Sequence, residues 1–470
     1  MEHWLNKRAA LSPNQIAIEM EDHSVTFLQL QQKSQQFARQ LDNLKPNGHI
    51  AILSDNSIDM AVAFWGCTYL QTPVVFLNTR LSRSEWQQQC NDADVGLILT
   101  SSHYLEKAKH LNVSVESFLK VKKLTVNEVP LLDEIDAEKV CSMMFTSGTT
   151  GRAKAVQQTF HNHWSSAVAS SLNLGLLPED KWLVCLPLFH IGGLSILIKS
   201  VIYGMPVYLL EKFDADKVHQ AIMKSAVTLI SVVAVTCSRL LERLGSERYP
   251  DSFRCMLLGG GPAPKPLLEQ AKAKQTPVVQ TYGMTETCSQ IATLNEKDAL
   301  RKLGSAGKPL FTATLKIVDE KEECNPNQIG EILAKGPMVS PGYYQHKKQS
   351  NEWLRTGDLG YFDEEGFLYV VDRRSDLIIS GGENIYPAEI EEVLLMMDGI
   401  VEAGVTAEED KQWGQVPVAY IVKNDKQLTT DRIKDYCKDR LANFKVPKQI
   451  HFRDQLPRNA TNKLQRHKLK

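Results

Sequence analysis

The sequence predicts an α/β protein with a large N-terminal body of mixed, mainly parallel sheets and a small C-terminal α/β domain. Three observations carry this. Short runs rich in Val, Ile and Leu recur about a helix length apart, the pattern of βαβ units. The chain has 470 residues, more than one core organises, and length alone argues for about two to three domains. Near Asp372 the pattern changes, because a charged knot, DRRSD, falls between two strand-like segments.

Taken in order, HIAIL (49–53), PVVFL (73–77), VGLILT (95–100), WLVCLPL (182–188) and TLISVVAV (228–235) are predicted strands. One unit is complete: TLISVVAV, the helix-like TCSRLLERL, the strand-like CMLL, a turn GGGPAP, and the helix-like KPLLEQAKAK. Apolar runs at ATLKIVD and GEILAKG extend the larger domain, which we take as 1–374. In the smaller domain, 375–470, PAEIEEVLLMM opens a helix. Pro387 suits its first turn and the acidic residues sit near its positive end, while Ile390, Val393, Leu394 and Met397 repeat at helical spacing. From Lys438 to Lys470 there are ten Lys/Arg against two Asp, which fits either a solvated surface or a charged arm brought to phosphates.

Composition excludes several classes. A formal net charge of −1 offers no general attraction to nucleic acid or to an anionic membrane. Nine cysteines are scattered with no C-x-x-C pair, which reads as reduced thiols in a cytoplasmic protein. The N-terminus has no apolar stretch of a signal peptide. The most apolar region, LSILIKSVIYGMPVYLL, has 17 residues and is interrupted by Lys199, so no membrane insertion is expected. No Cys/His group has metal-site spacing. A homo-oligomer stays open.

Chemistry concentrates in MMFTSGTTGRAKAVQQT, Met143 to Thr159. Four hydroxyl side chains, Thr146, Ser147, Thr149 and Thr150, surround Gly148 and Gly151, and Lys154 follows. The spacing G-x-x-G-x-x-K is not the Walker pattern. It is still suited to phosphate: glycines let backbone N–H groups approach an anion, hydroxyls donate, and the lysine supplies charge. By itself the stretch also fits a polar surface turn.

Its company decides. TYGMTETCSQ (281–290), RTGDLGYFD (355–363), DRRSDLIISGGENIYP and the terminal LPRNATNKLQRHKLK follow in that order. Together with TSGTTGRAK they resemble the adenylate-forming superfamily of acyl-CoA synthetases, luciferases and peptide-synthetase adenylation domains, from about residue 15 to the end. The resemblance implies the adenylate-forming fold, with a mobile C-terminal domain, and a reaction in two halves. A carboxylate attacks the α-phosphate of ATP and expels pyrophosphate; a thiol then displaces AMP.

It also implies roles. The loop Thr146 to Lys154 would grip the departing phosphates. Tyr282 would stack on adenine, Thr285 would meet the α-phosphate, and Glu286 would hold Mg²⁺. Gly259, Gly260 and Gly261 would lie flat against the purine, or simply make a strand-to-helix turn. Asp358 would accept the ribose hydroxyls and Arg373 would reach ribose and phosphate, whereas Arg374 reads as structural. Lys463 would stabilise charge gathering between acid and phosphate. The residue before it is Asn462 where the family usually has glycine, a residue that tolerates left-handed backbone. Ser375 stands at the hinge where the family often carries a charge. Gly381 and Gly382 would line a passage for the pantetheine arm of coenzyme A. His190 would gate the acid, while His161 and His163 read as structural.

With no carrier domain in view, free coenzyme A is the expected acceptor. Ser195 and Lys199 are four apart, on one face of a helix, and either recognise a second carboxylate or decorate a solvated face. The wording of PLFHIGGLSILIKSVIYG, YGMTETCSQ and DRRSDLIISGGENIYPAEIE resembles the coenzyme A ligases of bacterial menaquinone biosynthesis. An acid of that branch carries an aliphatic carboxylate to activate and an aromatic one to recognise. The alternatives are a fatty or aryl acyl-CoA synthetase, and a nucleotide-binding pseudoenzyme. The joint presence of Glu286, Asp358, Arg373 and Lys463 argues against the last.

Overall fold

A computed structural model describes all residues except 148–152, 261–264, 300, 320–321, 347–351, 374–377, 386, 458–465 and 470. They form two compact units. Met1–Thr79, Ala93–Met144 and Ala155–Val371 make the first; Arg80–Asp92, Phe145–Lys154 and Asp372–Lys470 make the second. Among the described residues no helix is long and apolar enough to cross a membrane.

The first unit is built on three sheets, and the central parallel strands of two of them, such as Leu229–Val232 and His49–Leu53, are near-continuous buried runs, as expected when both faces are covered. In one, Val278–Met284, Cys255–Leu258, Leu229–Val232, Trp182–Val184, Val207–Leu209 and Ile16–Glu19 lie side by side and parallel. Ser289–Thr293 extends the sheet as an antiparallel hairpin partner of Val278–Met284, with Lys308–Pro309 outside it. A second sheet has the order Gly342–Tyr343, Ala153–Thr159, Val140–Ser147, Val74–Phe76, His49–Leu53, Val95–Thr100, Ser114–Ser117. A third, antiparallel, contains Thr314–Asp319, Gly330–Lys335 and Leu354–Phe362. Ile50, Ile52, Phe64, Trp65, Trp182 and Leu197 belong to one continuous buried core.

Two predicted strands are shorter than expected, for local reasons. The segment 182–188 leaves the sheet after Val184, because Pro187 has no N–H for a ladder and buried Asn56 takes over. Its amide donates to the Leu186 carbonyl, and its oxygen accepts from the Leu188 N–H. The segment 228–235 ends at Val232, and the helix Ala234–Leu244 starts at once because Thr236 Oγ1 accepts the Val233 N–H. A hydroxyl that satisfies a first-turn donor fixes where a helix begins.

In the second unit the strands Glu383–Ile385, Ile378–Ser380, Gly414–Lys423 and Ile400–Asp410 form a sheet, with Gln449–Phe452 parallel to Gly414–Lys423. The helix Pro387–Leu395 begins at the predicted proline, and Ile390 and Leu394 are fully buried against this sheet's core. Lys445 is buried too. Its ammonium donates to Glu85 at 2.8 Å and to Glu389 at 2.7 Å, a cation held by two carboxylates.

Candidate active site

The strand Val278–Met284 and the strand Ser289–Thr293 are joined by a tight turn, Thr285–Thr287, that carries the TYGMTE motif. The sequence placed this motif beyond the strand VVQT. The strand instead runs through Tyr282 to Met284, since Tyr282 pairs with Ala292 and Met284 with Ser289 across the hairpin. Tyr282 is buried, and its hydroxyl donates to Asp358 at 2.7 Å. Asp358 is itself buried on Leu354–Phe362, so two residues named separately from sequence form one contact.

Glu286 is buried, and Oε1 accepts the Tyr343 hydroxyl at 2.9 Å. Its backbone carbonyl accepts the Ser340 N–H at 2.8 Å. The turn ends in unusual backbone: Cys288 has φ +49° and Ser289 φ +109°, conformations that side chains disfavour. Such a turn persists only where its surroundings over-determine it. Ser166 donates to the Cys288 carbonyl at 2.7 Å, Thr287 Oγ1 accepts the Met284 N–H, and Gln158 donates to the Thr285 carbonyl. As a magnesium ligand Glu286 fits, because Mg²⁺ takes one or two carboxylates together with substrate phosphates and water. Among the described residues no group of three or more His, Cys, Asp and Glu could cage an ion alone.

The residues expected from sequence on the acid side lie on the helix Ile191–Tyr203, whose N-cap is His190. The imidazole packs against Phe189, ring centroids 4.8 Å apart. Gly193 explains the double glycine of the motif, since a Cβ there would meet the Pro187 carbonyl oxygen at 2.3 Å. Ser195 and Lys199 share the buried face, 4% and 2% exposed, which decides against a solvated lysine. Lys199 Nζ lies 3.4 Å from Gln290 Oε1 and 5.4 Å from the centre of the Trp182 ring. Among the described residues no carboxylate pairs with it. Burial pushes its ammonium down from the usual lysine value to about 7. Gln290 pairs with Gly283 across the hairpin, so the same two strands carry the turn and face this lysine.

Other predicted residues divide. Thr146 and Ser147 end the strand Val140–Ser147, and Lys154 opens Ala153–Thr159. Gly148, Thr149, Thr150 and Gly151 lie outside the described residues, as do Gly261, Ser375, Asn462 and Lys463. Gly259 follows the strand Cys255–Leu258, its N–H bonded to the Val232 carbonyl, and Gly260 has φ +79°. Arg373 is the last residue of Leu368–Arg373. Gly381 has φ +57°, and a Cβ on it would meet the Trp413 ring at 2.7 Å; Gly382 has φ +85°. His163 is buried beside Ser142, in keeping with a structural reading. Sequence reasoning missed Tyr343 and Gln158. Gln158 lies near the end of the stretch 143–159 without a role of its own there and Tyr343 lies in no motif, and each reaches the turn through a contact distant in sequence.

A turn with a buried carboxylate, on a hairpin whose Gln290 meets a buried lysine, sits in a fold that family comparison identifies. Residues 5–344 match the AMP-binding enzyme model and residues 389–463 match the AMP-binding enzyme C-terminal domain. The chain belongs to the AMP-binding enzyme family. It is 54% identical to a 2-succinylbenzoate–CoA ligase of Oceanobacillus iheyensis over 99% of this chain and 98% of that one. It is 48% identical to the enzyme of the same name from Bacillus licheniformis, over 100% of both. Among solved structures, o-succinylbenzoate CoA synthetase of Bacillus subtilis, a double mutant bound to a product analogue, matches with TM-score 0.97 at 48% identity, covering 100% of this chain and 98% of that one. The same enzyme with ATP and magnesium matches with TM-score 0.78 at 47% identity, covering 100% and 99%.

Proposed function

We propose that the chain is an AMP-forming acid–thiol ligase that activates o-succinylbenzoate with Mg-ATP and transfers the acyl group to coenzyme A, a step of menaquinone biosynthesis in the cytoplasm. One observation carries the choice of acid: Lys199 is a buried cation with no carboxylate partner among the described residues. An unpaired buried charge is costly, and a ligand carboxylate removes that cost. A fatty acid has only the carboxylate that reacts; o-succinylbenzoate has a second one to offer. The named relatives support the same acid.

In the first half, a carboxylate oxygen of the acid bonds to the α-phosphorus of ATP while the bond to pyrophosphate breaks. Tyr282 stacks on the purine, beside Gly259, Gly260 and Gly261. Asp358 accepts the ribose hydroxyls, Arg373 reaches ribose and phosphate, and Thr285 donates to the α-phosphate. Glu286 holds Mg²⁺, which neutralises phosphate charge when bound. Thr146 to Lys154 grips the leaving phosphates, and Lys463 stabilises the negative charge where acid and phosphate meet. In the second half, the thiolate sulfur of coenzyme A bonds to the acyl carbon and AMP leaves with the electron pair of the anhydride. His190 screens the acid from water, and Gly381 and Gly382 border the pantetheine arm. We take 1–374 as the domain that binds ATP and acid, 375–470 as the domain that carries Lys463, and Ser375 as the hinge between them.

The deciding experiment is a coenzyme A ligation panel with o-succinylbenzoate, benzoate, acetate and octanoate. A clear preference for o-succinylbenzoate is expected; preference for a monocarboxylate overturns the assignment of the acid. Lys463→Ala is expected to lower adenylation by about 10²-fold or more while sparing thioester formation from preformed acyl-AMP. Equal loss in both halves contradicts its role.

A further inference from the structure

The turn that carries Thr285 and Glu286 is held from behind by a buried chain of three side chains. Gln158 Nε2 donates to the Thr285 carbonyl at 2.9 Å. Ser142 Oγ lies 2.7 Å from Gln158 Oε1 and 2.8 Å from His163 Nε2. Ser142 and Gln158 are fully buried and His163 is 2% exposed, so water does not complete these bonds.

Proton directions follow from one fixed point. A backbone carbonyl only accepts, so the Gln158 amide must turn its NH₂ toward Thr285 and its oxygen toward Ser142. That oxygen needs a donor, which commits the single hydroxyl proton of Ser142. Ser142 can then only accept from His163, whose Nε2 must carry hydrogen. The imidazole is neutral, because burial, and secondarily the positive charge of Lys199, push it down to about 3. His163 Nε2–H, Ser142 O–H and Gln158 N–H therefore point one way, toward the turn.

The supporting corner is rigid. Thr159, between Gln158 and the helix Phe160–Leu174, caps that helix through a reciprocal pair with Asn162. The Asn162 amide also donates to the carbonyls of Pro337 and Val339, next to Ser340, whose N–H holds the Glu286 carbonyl. The turn itself relies on such support, with two successive residues at positive φ.

We propose that Gln158, oriented by His163 through Ser142, is a positioning residue that sets the Thr285–Glu286 peptide for Mg-ATP. This rests on the assignment of Thr285 and Glu286 to the nucleotide. No group of the relay touches substrate; it acts by aiming the Thr285 hydroxyl and the Glu286 carboxylate. Loss of one member leaves the turn folded but free to rotate its peptide, which weakens capture of Mg-ATP and not of coenzyme A.

Two variants at Gln158 test this. Gln158→Met keeps the volume but loses both polar contacts; the KM for Mg-ATP in acid-dependent pyrophosphate exchange should rise about tenfold, with the KM for coenzyme A unchanged. Gln158→Glu can serve both partners only while protonated, donating to Thr285 and accepting from Ser142. Its KM for Mg-ATP should therefore climb with pH more steeply than the wild type's. Nearby titratable groups, among them His163, Lys199, Glu286, Cys141 and Cys288, are shared with the wild type, so the difference between the two profiles isolates the new carboxyl. His163→Gln, which keeps an N–H donor, should retain more ATP affinity than His163→Leu. Parallel pH profiles, or Gln158→Met that lowers the thermal midpoint without moving the KM for Mg-ATP, overturn the relay. Should Thr285→Ala and Glu286→Gln also leave that KM unmoved, the nucleotide assignment itself falls; if they raise it while the Gln158 variants do not, only the relay falls.

Discussion

Two lysines in this chain are both buried and differently accompanied. Lys445, in the second unit, sits between Glu85 and Glu389. Lys199, in the first, has an amide oxygen and the face of a tryptophan. Burial works against the charge of both. At Lys445 the two carboxylates outweigh it and hold the ammonium above its usual value, while burial keeps Glu389 above the carboxylate range. At Lys199 nothing among the described residues opposes burial, and the ammonium is pushed down to about 7. The first arrangement is closed and serves the fold. The second lacks a carboxylate among the described residues, and under the proposed function a ligand carboxylate would supply it.

The contrast is broken or sharpened by substitution at each lysine. The largest effect belongs to Lys445→Met, which strands two carboxylates and should cost about 3–5 kcal/mol in urea unfolding. Adding Glu85→Gln and Glu389→Gln should recover most of it. Next, Lys199→Met should lower kcat/KM for o-succinylbenzoate by about 10²-fold while benzoate changes little, since only the former loses a buried ion pair. Equal losses for both acids would make Lys199 structural, like its counterpart.

The third effect has a pH signature. Unfolded, Lys199 keeps its proton up to the ordinary value of 10.5; folded, it releases it near 7. Between those limits the unfolded chain binds more protons, so this group makes stability rise with pH across the window. Below pH 7 the cost of a buried charge is complete. Lys199→Met should therefore stabilise the ligand-free protein at pH 6, by about 2 kcal/mol, and the gain should shrink toward pH 10. Chemical unfolding at the two pH values measures it. Smallest is Tyr282→Phe, which takes a neutral donor from buried Asp358 and should cost about 1–2 kcal/mol, read as a lower thermal midpoint.

Strands were legible in the sequence where burial is two-sided: His49–Leu53 and Val95–Thr100 fall on their predicted residues because an unbroken apolar run has no other use. Ends were not, because they depend on single partners such as Asn56 and Thr236. Within the site, the family resemblance pointed to Tyr282, Glu286 and Asp358, yet gave no hint that Tyr282 donates to Asp358. The Ser195/Lys199 spacing proposed a shared face, and only packing showed that face turned inward. Tyr343, Gln158 and Ser142 were invisible, since their importance lies wholly in what tertiary structure sets beside them.

The paired positive-φ residues Cys288 and Ser289 have a consequence for how the molecule comes into being. A local hairpin does not choose that backbone unaided; Ser166 and Gln158, more than a hundred positions earlier, must already be docked to hold its carbonyls. The shape of this turn thus depends on long-range packing and not on its own sequence. A half-made chain without those partners docked would have nothing to hold the turn in place.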